Sequence, residues 1–473
     1  MASNKNIETL LSFENKEIVF IRPSKPTPRT VLSLSSIDND LNFLTQAILV
    51  YESLTTNQNS HADSSNSPKP DPAKVIKKAF SKALVYYYPI AGKLIKHEDG
   101  KLRINCTSDG VPFQEAICNC NLSSLNYLDT HDVELARQFR VDFPSEDEHG
   151  NQYPLVIRLT KFLCGGFTFA FCFNHTVFDG TGITQLLFTV GELARGESEP
   201  SVKPVWERER LVGKITSNPL KNPMENANVA VSPFLPSTKY VHACFKVDKE
   251  SIARLKMSLM KEVNLSVLNL KKGFTTFECL AAYIWRARAK ALKLNYDGET
   301  LLNITIQVRE LFEDPLPTFY YGNAIVESYV KLVVKELIHQ PLLEVVKRIR
   351  HTLIPCLGND YVTNFVDTIE TKPLRFDYES GAVTILSDWR NLVNLYQVDF
   401  GWKEPVNTIP VPSDVCGPTS MYDILRPNKL DPSMSGGLRY FTSLPSSAMP
   451  MFEEEMKALT SNYPKGSFLP CNL

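Results

Sequence analysis

A chain of 473 residues is too long for one ordinary core and calls for two or three domains. With 43% hydrophobic and 22% charged residues, it has the make-up of a folded globular protein rather than a disordered one. Lys plus Arg number 51 and Asp plus Glu 52, a formal charge of -1 that offers no basic face to a nucleic acid or an anionic membrane.

The opening residues Met1 to Glu8 contain no apolar signal core, and Ala2 stands where myristoylation needs glycine. The most apolar stretch, 153–173, is interrupted by Arg158, Lys161, Gly165 and Gly166, so no membrane span is expected. Ten cysteines are scattered without a C-x-x-C pair, and eight histidines do not join them at zinc-ligand spacing. The cysteines read as small buried hydrophobes of a reducing compartment, and no metal site is expected.

Along the chain, residues 55–70 are rich in Asn, Ser and Pro and read as a surface loop. Asp71 and Pro72 form a helix-start signal, followed by Val75, Ile76, Ala79, Phe80, Ala83 and Leu84 at helical spacing. Phe167, Phe169, Phe171 and Phe173 alternate with smaller residues, which is strand period. A turn with two glycines follows, and a further helical pattern begins near Ile183. Residues 197–237 carry repeated prolines and no sustained period, which marks a crossover between two halves. Thr275 and Glu278 make a capping box ahead of Leu280, Ala281, Ile284 and Trp285. The expected class is α/β (α+β), with domains at 1–196 and 238–473 joined by the 197–237 crossover.

The sharpest local feature is Asn174-His175-Thr176-Val177-Phe178-Asp179-Gly180. A histidine on a turn at the end of a central strand is held firmly yet can face a cavity, and its pKa near neutrality lets it take and return a proton. The competing reading is a core histidine with Asp179 as a helix cap. No G-x-S-x-G elbow supplies a nucleophile. Asn174 opens an N-x-T triplet, and a glycan there would block the site, which favours the cytosol.

His175 to Gly180 matches the H-x-x-x-D-G motif of the plant BAHD acyltransferases, and Asp399-Phe400-Gly401-Trp402-Lys403 resembles their D-F-G-W-G signature near the C-terminal end. Leu84 to Leu94, Thr275 to Arg286, Tyr320 to Asn323 and Ser387 to Trp389 extend the resemblance over nearly the whole chain. One departure is Lys403, which replaces the last glycine of the second signature.

The resemblance implies two similar-sized domains, each a mixed sheet flanked by helices in the manner of chloramphenicol acetyltransferase, with a channel at their interface. It implies His175 as general base, transferring an acyl group from acyl-coenzyme A to a small-molecule alcohol without an acyl-enzyme, with no permanently bound cofactor. Asp399 is a catalytic candidate on motif grounds. Ser387 and Trp389 are oxyanion donors by the same resemblance. For Asp179 an ion pair with Arg309 is favoured over orienting His175, with Gly180 supporting the turn. Lys272, Thr275 and Thr276 combine charge, hydroxyls and a helix start as a coenzyme A contact, or are simply a capped helix beside solvated lysines. An amine acceptor such as a polyamine and an inactive binding relative are the alternatives. The expected setting is a cytoplasmic monomer with no nucleic-acid partner.

Overall fold

The alternating phenylalanines form the strand Phe167–Asn174, buried on both faces as a central strand must be. The computed structural model describes residues 11–54, 70–261, 273–412 and 420–461, and places this strand inside a seven-stranded sheet. The strand order is Phe13–Asn15, Val111–Cys118, Leu155–Phe162, Phe167–Asn174, Leu44–Tyr51 and Asn407–Val411, and Val19–Ile21 also pairs with Val111–Cys118. A second, six-stranded sheet runs Tyr240–Val247, Leu438–Pro445, Met421–Leu425, Val383–Asp388, Glu299–Gln307 and Ile325–Val333. Both sheets mix parallel and antiparallel neighbours. The expectation of two mixed sheets flanked by helices holds.

Helices Pro72–Tyr86 and Gly180–Ala194 cover one face of the first sheet, their apolar stripes meeting the aromatic strand. Helices Thr276–Ala291, Leu342–Cys356 and Met449–Thr460 cover one face of the second. The remaining faces meet each other: Ile48, Ala170 and Cys172 of the first sheet pack with Cys244, Leu425 and Phe441 of the second. Burying these apolar faces against one another stabilises the two-lobed body by roughly 25 cal/mol for each Å² removed from water.

Several local signals act as the sequence predicts. Asp71 caps Pro72–Tyr86 by accepting from the Ala73 N–H at 3.0 Å. Thr275 and Glu278 close their reciprocal box on Thr276–Ala291. Two expectations are corrected. The helix expected near Ile183 starts at Gly180, because its first N–H groups need no intrahelical partner and Asp179 caps them, so glycine there breaks nothing. The 238–473 unit is also not closed. Its strand Asn407–Val411 leaves the C-terminal half and pairs antiparallel with Leu44–Tyr51, fully buried at the edge of the first sheet. A bare edge at Leu44–Tyr51 would leave a row of backbone donors and acceptors unpaired, and the later strand satisfies them. The stretch read as a surface loop lies, from 55 to 69, outside the described residues. Among the described residues no helix is long and apolar enough to cross a membrane.

Candidate active site

His175 leaves the end of the central strand and sits half-buried where the two halves meet. Its N–H donates to the Phe43 carbonyl at 2.7 Å, and its ring lies 4.7 Å from the Phe43 ring, centroid to centroid. From the other half, the Asn323 amide donates to the His175 carbonyl at 2.7 Å. Nδ1 of the ring is buried without a hydrogen-bond partner. Burial pushes the imidazole pKa below its ordinary value. The charge of Asp179, with smaller help from Asn323 and Asp38, pulls the other way without restoring it. The ring is therefore neutral near pH 7 and able to accept a proton.

The turn is clamped by two ion pairs, one between the halves and one from the crossover to the first half. Asp179 Oδ1 accepts from Arg309 Nη2 at 2.8 Å and from the Gly182 N–H at 2.9 Å, and Oδ2 accepts from the Ala324 N–H at 3.0 Å. Burial alone would raise the Asp179 pKa, but the Arg309 charge and these bonds hold it below the ordinary carboxylate value. Asp179 thus pairs with Arg309, the geometry expected over an orienting role. Arg208, from the crossover, reaches Asp38 at 2.7 Å and the Val177 carbonyl at 2.8 Å, with Trp206 stacked 4.5 Å away. Asp38 in turn accepts from the Asn323 amide at 2.8 Å. At Gly182 even a methyl group would sit 2.0 Å from the Tyr321 carbonyl oxygen, so only glycine lets the helix start approach residues 320–323. Asn174 is fully buried and donates to Gln152 at 2.7 Å, so its triplet is no glycan acceptor in the folded chain.

Ser387 is the next-to-last residue of the strand Val383–Asp388, and Trp389 begins the short helix Trp389–Asn391. Leu392, just beyond, packs on Gly180, which brings this segment to the start of the clamped turn. The Trp389 indole N–H donates to Ser387 Oγ at 2.9 Å. The two expected oxyanion donors are therefore bonded to each other: the indole proton is spent on Ser387, and the Ser387 hydroxyl proton is the one left to give.

Asp399 is a correction. Its carboxylate accepts from the Gly401 N–H at 2.7 Å, and its carbonyl accepts from Arg195 at 2.6 Å. Arg195 closes the C-terminal end of Gly180–Ala194, whose 15 residues at 1.5 Å each hold Asp399 about 20 Å from the Asp179 turn. The bonds of Arg309 go to Asp179, Gln307, Tyr320 and Gly322, so Asp399 does not support it either. The second signature anchors instead: Phe400 and Trp402 pack on Phe169, Tyr51 and Phe167 of the first sheet. Lys403 keeps the left-handed backbone, at φ 65°, that a glycine would hold without strain, and it is exposed.

The proposed cofactor contact is partly corrected too. Thr275 Oγ1 accepts from the Glu278 N–H at 3.1 Å and lies 2.9 Å from the Glu278 carboxylate, which also bonds Arg350 at 2.6 Å. A carboxylate of this chain already occupies the helix start that a phosphate would use, and Thr276 lies in its first turn. Lys272 lies outside the described residues.

With this geometry in view, comparisons with known proteins are decisive. The profile of the Transferase family matches residues 11–459. The chain belongs to the BAHD acyltransferase family. It is 37% identical over 470 residues to a spermidine coumaroyl-CoA acyltransferase of Arabidopsis thaliana, covering 98% of this chain and 99% of that one. It is 32% identical to a 2-alpha-hydroxytaxane 2-O-benzoyltransferase of Taxus cuspidata, covering 94% and 96%. Vinorine synthase shares the fold at a TM-score of 0.70 and 19% identity, covering 95% of this chain and 98% of that one. The F. sporotrichioides TRI101 structure with coenzyme A and T-2 shares it at 0.66 and 16% identity, covering 90% and 97%. As a BAHD acyltransferase the chain is an enzyme of acyl transfer.

Sequence reasoning missed Arg208, Asp38 and Asn323. Arg208 lies in a proline-rich stretch read only as a connection, and Asp38 in a five-residue helix with no clear period. Asn323 belongs to the Tyr320-Tyr321-Gly322-Asn323 match, where the motif signalled kinship but no role.

Proposed function

We propose that this BAHD enzyme transfers an acyl group from acyl-coenzyme A to a small-molecule nucleophile, with His175 as general base. The observation that carries the reading is His175 itself, its backbone held from both halves and its imidazole kept neutral by burial. It takes the proton from the acceptor as the acceptor attacks the thioester carbonyl. The carbonyl oxygen gathers charge, and the Ser387 hydroxyl, polarised by Trp389, donates to it. Collapse of the adduct breaks the carbon–sulfur bond, and the thiolate of coenzyme A leaves with the proton from His175. Direct transfer needs no nucleophilic side chain.

An amine acceptor is supported by the higher identity to the spermidine acyltransferase. The alcohol acceptor read first from the sequence is supported by the taxane relative, whose name specifies oxygen. The intact His175 turn supports catalysis over an inactive binding role. Charge near neutrality supports free small-molecule partners, and the cytoplasmic monomer stays the reading of the sequence.

The test is release of free coenzyme A thiol from a panel of acyl-coenzyme A donors with alcohol and amine acceptors, with products identified by mass. His175→Ala is expected to lower kcat/KM by about 10²–10⁴ while melting stays unchanged. Full turnover by a folded His175→Ala variant would remove the general-base role.

A further inference from the structure

The face of the six-stranded sheet that meets the other half carries polar groups left incomplete. Strand register places them. Ser387 pairs with Asp423 on the neighbouring strand, and Asp423 pairs with Phe441 in the apolar contact between the sheets. One residue beyond the Ile304–Leu386 pair, Thr305 stands level with Ser387, and Thr305 pairs with Glu327. Paired residues share a face, so Glu327, Thr305, Ser387 and Asp423 form one row across four strands. At about 4.8 Å between strands, Asp423 lies about 5 Å to one side of Ser387 and Glu327 about 10 Å to the other.

These acids are not ordinary ion-pair partners. Oδ1 of Asp423 is buried and accepts no hydrogen bond, and burial alone pushes this carboxyl up to about 7. Glu327 is also pushed up, first by burial and further by the Asp40 carboxylate of the other half. The Tyr329 hydroxyl, 2.5 Å away, the nearby Asn303 amide and the Arg375 charge only partly offset this. Arg375 is itself exposed and bonded to Asp40 at 2.8 Å. One row along, opposite Tyr329 on the same face, Asn303 is fully buried, and neither its amide oxygen nor its nitrogen meets a partner in bonding geometry. A buried amide and two half-buried, poorly solvated carboxyl groups left in this state are costly unless something bound there completes them. A terpenoid alcohol would leave both acids without a bonded cation. A cationic chain with N–H donors at intervals would complete them.

We infer that the acyl acceptor is an aliphatic polyamine, its reacting nitrogen beside Ser387 and its flanking ammonium groups on Asp423 to one side and on Glu327 and Asn303 to the other. A spacer of three or four carbons sets successive nitrogens roughly 5–6 Å apart, which matches one strand step to Asp423 and two such spacers or less to Glu327. The inference rests on the acyltransferase reading and names its acceptor. It also eases the chemistry. An amine must be neutral to attack, and neighbouring ammonium charges lower its pKa. The neutral nitrogen forms the carbon–nitrogen bond, the carbon–sulfur bond breaks, and the nitrogen's proton passes through His175 to the departing thiolate, giving an amide and free coenzyme A.

Calorimetric binding to the wild-type chain without donor, using spermidine, 1,4-diaminobutane and butylamine, is the first measurement, and the kcat/KM of each with donor is the second. Spermidine is expected to bind at least about 30-fold more tightly than butylamine, and Asp423→Asn and Glu327→Gln each to lower the spermidine-to-butylamine ratio of kcat/KM by about 30-fold. Equal binding of spermidine and butylamine by the wild type overturns the inference, and so does an unchanged ratio in both folded variants. If either variant fails to fold, the wild-type comparison decides. Tight spermidine binding without thiol release from any donor and acceptor would sink the acyltransferase reading and leave the polyamine site standing. Thiol release with alcohols, with no binding of polyamines, would do the reverse.

Discussion

Two signature turns stand at opposite ends of one helix, Gly180–Ala194, and they look alike on paper. Each has an aspartate followed closely by glycine. At the N-terminal end Asp179 is 1% exposed, bonded to Arg309 and to two backbone N–H groups, and its charge reaches the His175 ring. At the C-terminal end Asp399 is half-buried, bonds the N–H of Gly401 two residues on, and holds a loop whose aromatic residues plug the first sheet. The difference teaches that a motif's strength as a mark of kinship says nothing about nearness to the chemistry. What separates the two is what each carboxylate touches.

The comparison can be broken at its strongest point first. Asp179→Ala strands the Arg309 guanidinium in a buried setting and is expected to cost about 3–5 kcal/mol, seen in chemical denaturation, with activity lost through stability. A folded, fully stable but inactive Asp179→Ala protein would show that this carboxylate acts on His175 directly. Because the Asp179 pKa is lowered on folding, its contribution is present above the unfolded carboxylate value and is lost as pH falls through the lower folded value.

A kinetic measurement sharpens the same end. As the proposed general base His175 must be neutral to act, and its pKa is depressed, so kcat/KM should rise with pH along a limb centred below about 6.5. A limb above that value would contradict a burial-dominated site.

At the other end effects should be small. Asp399→Ala removes one turn bond, and is expected to cost about 1 kcal/mol with kcat within about twofold of wild type. A loss of kcat approaching that of His175→Ala would restore Asp399 to the reaction. Smallest of all, and opposite in sign, Lys403→Gly should stabilise by about 1 kcal/mol, because it relieves a left-handed lysine at an exposed position. Destabilisation would mean that the lysine side chain holds the loop.

Much of this is legible in the sequence alone. The strand period of Phe167 to Phe173, the Asp71 cap and the Thr275 box are local signals, and local physics decided them. The pairing of Asp179 with Arg309 was reached through kinship, since 130 residues separate the partners and no periodicity links them. The roles of Asp399 and Thr275 went astray for one reason: a sequence shows that a group can bond but not that a nearer neighbour has already taken the bond. Asp423 was invisible for the opposite reason. Nothing along the chain marks a carboxylate whose significance lies in what does not reach it.

The strand Asn407–Val411 carries a consequence for how the chain comes to be. The first sheet cannot finish its edge until more than four hundred residues have left the ribosome. Until then the nascent N-terminal half offers an open flank to any passing β-segment, and a gene cut at the crossover should give two fragments that are soluble only when made together.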